Sequence, residues 1–302
     1  MNPSRRNFIQ KSMLTVSGLS LAQRSLLANI FVDDLPYKMT TLRSNVGYFT
    51  ERGGTIGWMI SNNGIVVVDT QFPDQSKHLI EAIKKQSDRE IDLLINTHHH
   101  GDHSGGNIAF KGMTKVLLAH ENSKKNQMRV AQANGKEDTQ LYPDTTFTSE
   151  WSQQIDEEMI TLRYFGPAHT DGDSITHFEN ANVVHMGDLI FNRRFPYIDK
   201  SAGASIENWI QVLERTQKIF DKDTIFIFGH AGDGFDVIGN LGDIKAKQNY
   251  LSKLLDTVST EIQAGRSEEE IMKIQSIKGA DEWKGNGIER NLSAAYQELT
   301  SD

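Results

Sequence analysis

The sequence predicts an α/β protein built as a four-layer αββα sandwich, and three observations carry the prediction. Apolar segments of strand length come in two groups, one over residues 46–118 and one over residues 158–228, each interleaved with helical periodicity. Short turn signals separate them, Arg52-Gly53-Gly54 and Asn62-Asn63-Gly64 among them. No stretch has the composition of a linker that would divide the chain into independent domains.

Residues 46–52, 55–60 and 64–69 read as strands in succession. The run Ile65-Val66-Val67-Val68 is continuously β-branched, so its strand is expected to be buried on both faces. Residues 73–86 carry Leu79, Ala82 and Ile83 on one side, which suits an amphipathic helix. A short apolar strand over 91–96 leads into a polar loop at 97–106. A strand at 116–118 and a helix at 121–133 follow, and residues 134–157 are polar and show no periodicity. The second group has strands at 158–165, 174–179 and 182–186, a helix at 206–220 and a strand at 224–228. From about residue 239 onward the chain reads as helical to its end. Tyr250, Leu251, Leu254, Leu255, Val258 and Ile262 form an apolar face there, expected to cover the sandwich. The expected organisation is one domain over residues 29–240 with a helical extension, 241–302, packed on it.

Residues 1–28 read as an address instead of as fold. Ser4-Arg5-Arg6-Asn7-Phe8-Ile9, with Lys11 close behind, resembles the twin-arginine export motif, and a moderately apolar stretch over 13–28 follows. That route carries proteins already folded, and the expected location is the periplasm. No apolar run is long enough to hold the mature chain in a bilayer. Loss of Arg5, Arg6, Lys11 and Arg24 with the signal takes the net charge from −8 to −12. A chain that acidic repels phosphate backbones, so a small molecule and not a nucleic acid is the expected partner.

The 302 residues include no cysteine, which excludes disulfides, iron–sulfur clusters, thiol nucleophiles and thiolate metal sites. Any metal must be held by histidine and carboxylate. The strongest chemical signal is Thr97-His98-His99-His100-Gly101-Asp102-His103, directly after the apolar run Leu93-Leu94-Ile95. A loop at the end of a buried strand holds its side chains in fixed directions. His98 and His100, two apart, can face one metal, and Asp102 and His103 a second beside it. Imidazole and carboxylate without thiolate suit zinc, and iron or manganese less specifically.

His-x-His-x-Asp-His after an apolar strand resembles the signature of the metallo-β-lactamase superfamily, and the resemblance runs over roughly residues 40–235. It implies three later ligand segments, and each is present in order: Gly166-Pro167-Ala168-His169-Thr170, Met186-Gly187-Asp188 and Phe228-Gly229-His230. Carried over, one zinc takes His98, His100 and His169, the other takes Asp102, His103 and His230, and Asp188 bridges them. Ala168 stands where the family usually has glycine, a departure small enough to imply only a slight backbone change. Asp69, at the end of a buried strand, is expected to orient a ligand imidazole. His99 holds the variable position of the motif and is expected to face the cleft or solvent. His78 falls in a surface helix, and His120, His177 and His185 read as structural.

The resemblance implies a di-zinc hydrolase whose metals share the attacking hydroxide, with Asp102 orienting it and carrying a proton. Its substrates would be esters, lactones, thioesters or amides, β-lactams included. Asn192, Arg193 and Arg194 follow Asp188 closely, and one arginine is expected to engage a substrate carboxylate. Tyr197 and Trp209 are candidate pocket walls. A class B β-lactamase proper suits the fold and the export signal, but one major subclass has Cys in place of Asp188 and Arg in place of His103, and another lacks the bridging Asp. The full ligand set looks more like glyoxalase II and lactonases, although the thioester substrate of the former is cytoplasmic. A mononuclear-iron persulfide dioxygenase is the alternative from another reaction class, separable by metal analysis.

Overall fold

The computed structural model describes residues 36–301, so the export motif lies outside the described residues. Strands β1 (Lys38–Arg43), β2 (Val46–Thr50), β3 (Ile56–Ile60), β4 (Ile65–Val68), β5 (Leu93–Asn96), β6 (Leu117–His120) and β7 (Thr145–Phe147) make one sheet in that order. Neighbours are antiparallel from β1 to β4 and parallel from β4 to β7. The change follows from the connections, since a parallel pair needs a crossover. Helix α1 (Pro73–Lys84) spans β4 to β5, α2 (Gly101–Ser104) lies between β5 and β6, and α3 (Glu121–Ala133) between β6 and β7.

The second sheet takes β8 (Glu150–Ile155), β9 (Glu158–Arg163), β10 (Ile175–Phe178), β11 (Val183–His185), β13 (Ile225–Ile227) and β15 (Ile238–Gly239), in that order. A separate two-stranded ribbon pairs β12 (Phe191–Asn192) in parallel with β14 (His230–Ala231). Helices α4 (Ile206–Ile219), α5 (Leu241–Gln263), α6 (Glu268–Ile271) and α7 (Ile288–Thr300) complete the chain.

Alternation along each strand divides the side chains into three apolar layers. Val66, Val68, Leu93 and Ile95 meet Ile160, Leu162, Phe178 and Val183 between the sheets. Ile65, Val67 and Leu94 turn the other way, onto Leu79, Ile80 and Ile83 of α1. On the far side Val184 and Phe226 meet Trp209, Val212 and Leu213 of α4, together with Tyr250, Leu254 and Val258 of α5 and Leu292 of α7. The layers run helix, sheet, sheet, helix, the αββα sandwich that the sequence predicts.

Three departures from the sequence expectation have physical reasons. Strand β1 is a half-exposed edge with only weak alternation. Strand β8, in the stretch without periodicity, is also an edge; its sequence EWSQQI buries only Ile155 and so lacks an apolar run. The C-terminal part is not helical throughout. Beyond α6 the chain is irregular up to α7, with Gly279, Gly285 and Gly287 at φ of 76°, 96° and 126°.

Candidate metal centre

The candidate ligands gather where the strands of both sheets end. Asp69 follows β4, and His98 lies two residues beyond the end of β5. His169 lies between β9 and β10, Asp188 in the single turn after β11, and His230 opens β14 after β13. One metal-ligating atom from each of His98, His100, His169 and Asp188 falls within 4.8 Å of the others, and so do those of Asp102, His103 and His230.

In the first cluster His100 Nδ1 lies 3.1 Å from His98 Nε2 and 2.9 Å from His169 Nε2. The opposite nitrogen of each ring has its own partner, which fixes the tautomer. Thr97 Oγ1 donates to Asp69 Oδ2 (2.8 Å), so it accepts from His98 Nδ1 at 3.0 Å. His100 Nε2 donates to Asp199 Oδ2 at 2.9 Å, and His169 Nδ1 donates to the Tyr197 carbonyl at 2.6 Å. Three unprotonated nitrogens therefore converge on one point. Burial, followed by neighbouring imidazoles, holds His98 well below the usual imidazole value and lowers His169 to about 3, so both rings stay neutral.

The second cluster carries more negative charge. His103 donates through Nδ1 to Asp69 Oδ2 at 2.7 Å, leaving Nε2 3.0 Å from Asp188 Oδ1 and 3.8 Å from Asp102 Oδ2. His230 Nε2 lies 3.2 Å from Asp102 Oδ2 and 3.4 Å from Asp188 Oδ1. Asp188 turns its other oxygen to the first cluster, 3.5 Å from His169 Nε2 and 3.9 Å from His98 Nε2. His103 Nε2 and Asp188 Oδ1 are both buried without a hydrogen-bond partner among the described residues. Buried polar atoms left this way are costly unless something else satisfies them. Five imidazoles and two carboxylates meeting in this manner fit a pair of divalent cations of the zinc type.

Glycine makes room for these groups. A Cβ on Gly54, in the turn between β2 and β3, would collide with the His103 ring, and one on Gly229 would collide with Asp188 Oδ1. Gly187, at φ 50°, sits against Thr97, where a Cβ would come 2.7 Å from Oγ1. The Gly187–Thr97 contact joins the two sheets at the site.

The remaining sequence candidates fall in different places. Asp69 is fully buried at φ 67°, held between Thr97 and His103. His99 does not face cleft or solvent: it is 4% exposed, its Nε2 is 3.7 Å from Asp199, and its ring is tilted against His100. The chain turns into α2 immediately after His100, which tucks His99 underneath. His120 caps α3 through the Asn122 amide, and His185 is held by the Thr55 carbonyl and the Gly187 amide.

Asn192 is buried, donates to the Asp236 carbonyl and accepts from Arg193. The Arg193 guanidinium is engaged by Asp243 at 2.6 Å and Glu282 at 3.2 Å, and it faces Phe235 and Trp283. It is not brought into the ligand cluster. Arg194 is exposed and borders a pocket with Ala231 and Gly232. The Tyr197 ring lies 5.3 Å from the His100 ring, and that of the fully buried Trp209 is 5.8 Å from His169.

Two carboxylates went unnoticed in the sequence. Asp199 orients His100, and Asp173 accepts from the amide and hydroxyl of Thr170, closing the loop that carries His169. Burial pushes Asp173 up to about 8. Neither belongs to a local pattern that announces a role; Asp199 lies 99 residues from its partner.

The metallo-beta-lactamase superfamily model matches residues 50–230, more than half of the chain, and the chain belongs to that superfamily. It is 22% identical over 221 residues to the metallo-beta-lactamase type 2 of Elizabethkingia meningoseptica, covering 67% of this chain and 82% of that protein. Among solved structures it resembles a metallo-beta-lactamase from Pontibacter korlensis, with a TM-score of 0.58 and 18% identity, over 72% of this chain and 99% of that one. A double mutant of the sec-alkyl sulfatase PisA1 matches with a TM-score of 0.70 and 12% identity, over 87% of this chain and 50% of that one. At these identities the structural likenesses speak for the fold alone.

Proposed function

We propose that this chain is a zinc-dependent hydrolase that cleaves an ester, lactone or amide bond, β-lactams included, and that the twin-arginine motif at Arg5-Arg6 sends it to the periplasm. The observation that carries the hydrolase reading is Asp188, which gives one carboxylate oxygen to each imidazole cluster. In this reading His98, His100 and His169 hold one zinc, Asp102, His103 and His230 hold the other, and Asp188 serves both. Bound zinc would supply a Lewis acid and bring the pKa of water down to about 7.

The chain's own groups supply the rest. Asp69 fixes the tautomers of two ligands at once, His98 through Thr97 and His103 directly. The Asp102 side chain is 30% exposed against 4% for Asp188, which leaves it the carboxylate nearest solvent. Burial opposes its charge, yet His103 and His230 lower it to about 2. Asp102 can orient a water and take a proton through the carboxylate oxygen that is not turned to His103 and His230.

The test is metal analysis of purified protein followed by hydrolysis assays with nitrocefin, an acyl lactone, an aryl ester and a thioester. Two zinc per chain, with turnover abolished in His100→Ala, is the expected result. One iron per chain, oxidation of a persulfide and no hydrolysis would replace this reading with the dioxygenase.

A further inference from the structure

We propose that Arg290, on the C-terminal helix α7, determines specificity by anchoring a carboxylate of the substrate at the mouth of the metal centre. The proposal deepens the hydrolase reading and rests on it for the identity of the site.

Tyr197 is the link. Its carbonyl holds His169 Nδ1 at 2.6 Å, its ring lies against His100, and the residue is 44% exposed. The Arg290 guanidinium carbon stands 5.9 Å from the centroid of that ring. A carboxylate bound by Arg290 would thus sit one aromatic ring away from the first imidazole cluster. Arg290 is exposed, and among the described residues no carboxylate lies within 4.0 Å of it.

The other cations nearby are less suited. Arg193 is engaged by Asp243 and Glu282. Arg194 and Lys284 line a cavity of about 470 Å³ that also contains Asp233, Asp281 and Glu282, which offset their charge.

The backbone around Arg290 is held in place from below. Its neighbour Asn291 is fully buried, donates to the Pro196 carbonyl at 2.6 Å and accepts from the Tyr250 hydroxyl at 2.6 Å. Lys284 and the strand-like segment 193–195 exchange two backbone hydrogen bonds, of 3.2 and 3.3 Å. The backbone at residue 290 is therefore fixed relative to Tyr197. An arginine in the first turn of a helix is opposed by the helix dipole, so helix stability does not account for it. A guanidinium with free donors binds a carboxylate in bidentate fashion.

Two substrates of equal chain length separate the possibilities: 4-nitrophenyl hydrogen glutarate, which carries a carboxylate, and 4-nitrophenyl pentanoate, which does not. On zinc-loaded protein, the ratio of kcat/KM for the anionic over the neutral ester should fall about 10-fold in Arg290→Ala and further in Arg290→Glu, mainly through KM. Arg290→Lys should recover part of the ratio. An unchanged ratio in both Arg290→Ala and Arg290→Glu overturns the proposal. If the wild-type protein hydrolyses neither ester, ester cleavage alone drops out of the hydrolase reading, and glutarate binding by calorimetry decides the role of Arg290. A Kd raised about 10-fold in Arg290→Ala then supports it, and an equal Kd overturns it.

Discussion

The nitrogens of His98, His100, His103 and His169 that face the centre have free lone pairs because of what their opposite nitrogens touch. Asp199 performs this for His100, at 2.9 Å and almost fully buried. Asp199→Ala should weaken zinc binding by about 10- to 100-fold, measured by competition with a chromophoric chelator. Unchanged affinity would show that His100 is oriented by packing alone. Lys247 poses a different problem. It is fully buried, its Nζ has no hydrogen-bond partner among the described residues, and it stands 4.4 Å over Trp209 with Phe191 and Tyr250 nearby. Burial holds it well below the ordinary lysine value, only partly opposed by Asp188. A folded-state pKa below the unfolded one means stability present above the unfolded value is lost as pH falls, so the lysine is a cost at pH 7. Lys247→Met should stabilise the protein by about 1–3 kcal/mol in urea denaturation at pH 7. The gain should shrink as pH approaches about 10.4, and a destabilised variant would assign Lys247 a supporting role beneath the site.

At the scale of elements, the site depends on loops from both sheets approaching without side chains between them. The β2–β3 turn lies over His103 at Gly54, and the segment after β13 lies over Asp188 at Gly229. Thr55 fastens the turn to the second sheet, with both its amide and its hydroxyl donating to the Gly229 carbonyl. Gly229→Ala should displace Asp188 and lower turnover by more than about 100-fold, because misplacement near 1 Å suffices for that loss. Metal content should fall with it, read by inductively coupled plasma mass spectrometry. Normal content and turnover would mean the backbone yields there at little cost.

At the scale of the whole molecule, the C-terminal helices belong to the core. Tyr250, Leu251, Leu254, Val258 and Leu292 are fully buried in one cluster with Trp209, Val212 and Phe226. Truncation after Asn240 would uncover that face of α4 and the second sheet. Loss of near-ultraviolet circular dichroism with strong binding of a hydrophobic dye is the expected outcome. A truncated chain that folds and keeps its metal would show that α5 and α7 only decorate the sandwich. Removal of metal should also be felt globally, since a ligand held only by the folded state stabilises it by mass action. Dialysis against a chelator should lower the Tm by several degrees, with recovery on adding zinc.

The sequence by itself determined the two groups of strands, the helices between them and the 98–103 motif, because β-branched runs, helical periodicity and a histidine cluster after a strand are local patterns, whereas His169, Asp188 and His230 were legible only through the resemblance to the metallo-β-lactamase superfamily. It also marked Asp69, whose position after Val68 is local too. Tertiary structure alone decided which groups serve those ligands. Asp199 meets His100 across 99 residues, His99 is drawn beneath the loop, Arg193 turns to Asp243, and Arg290 reaches Tyr197 from the last helix. Edge strands β1 and β8 were hidden for a related reason, since a strand that buries little carries little apolar pattern. A hydrophobic period reports how one element meets the core, whereas a hydrogen bond between distant loops depends on where the whole chain has brought them.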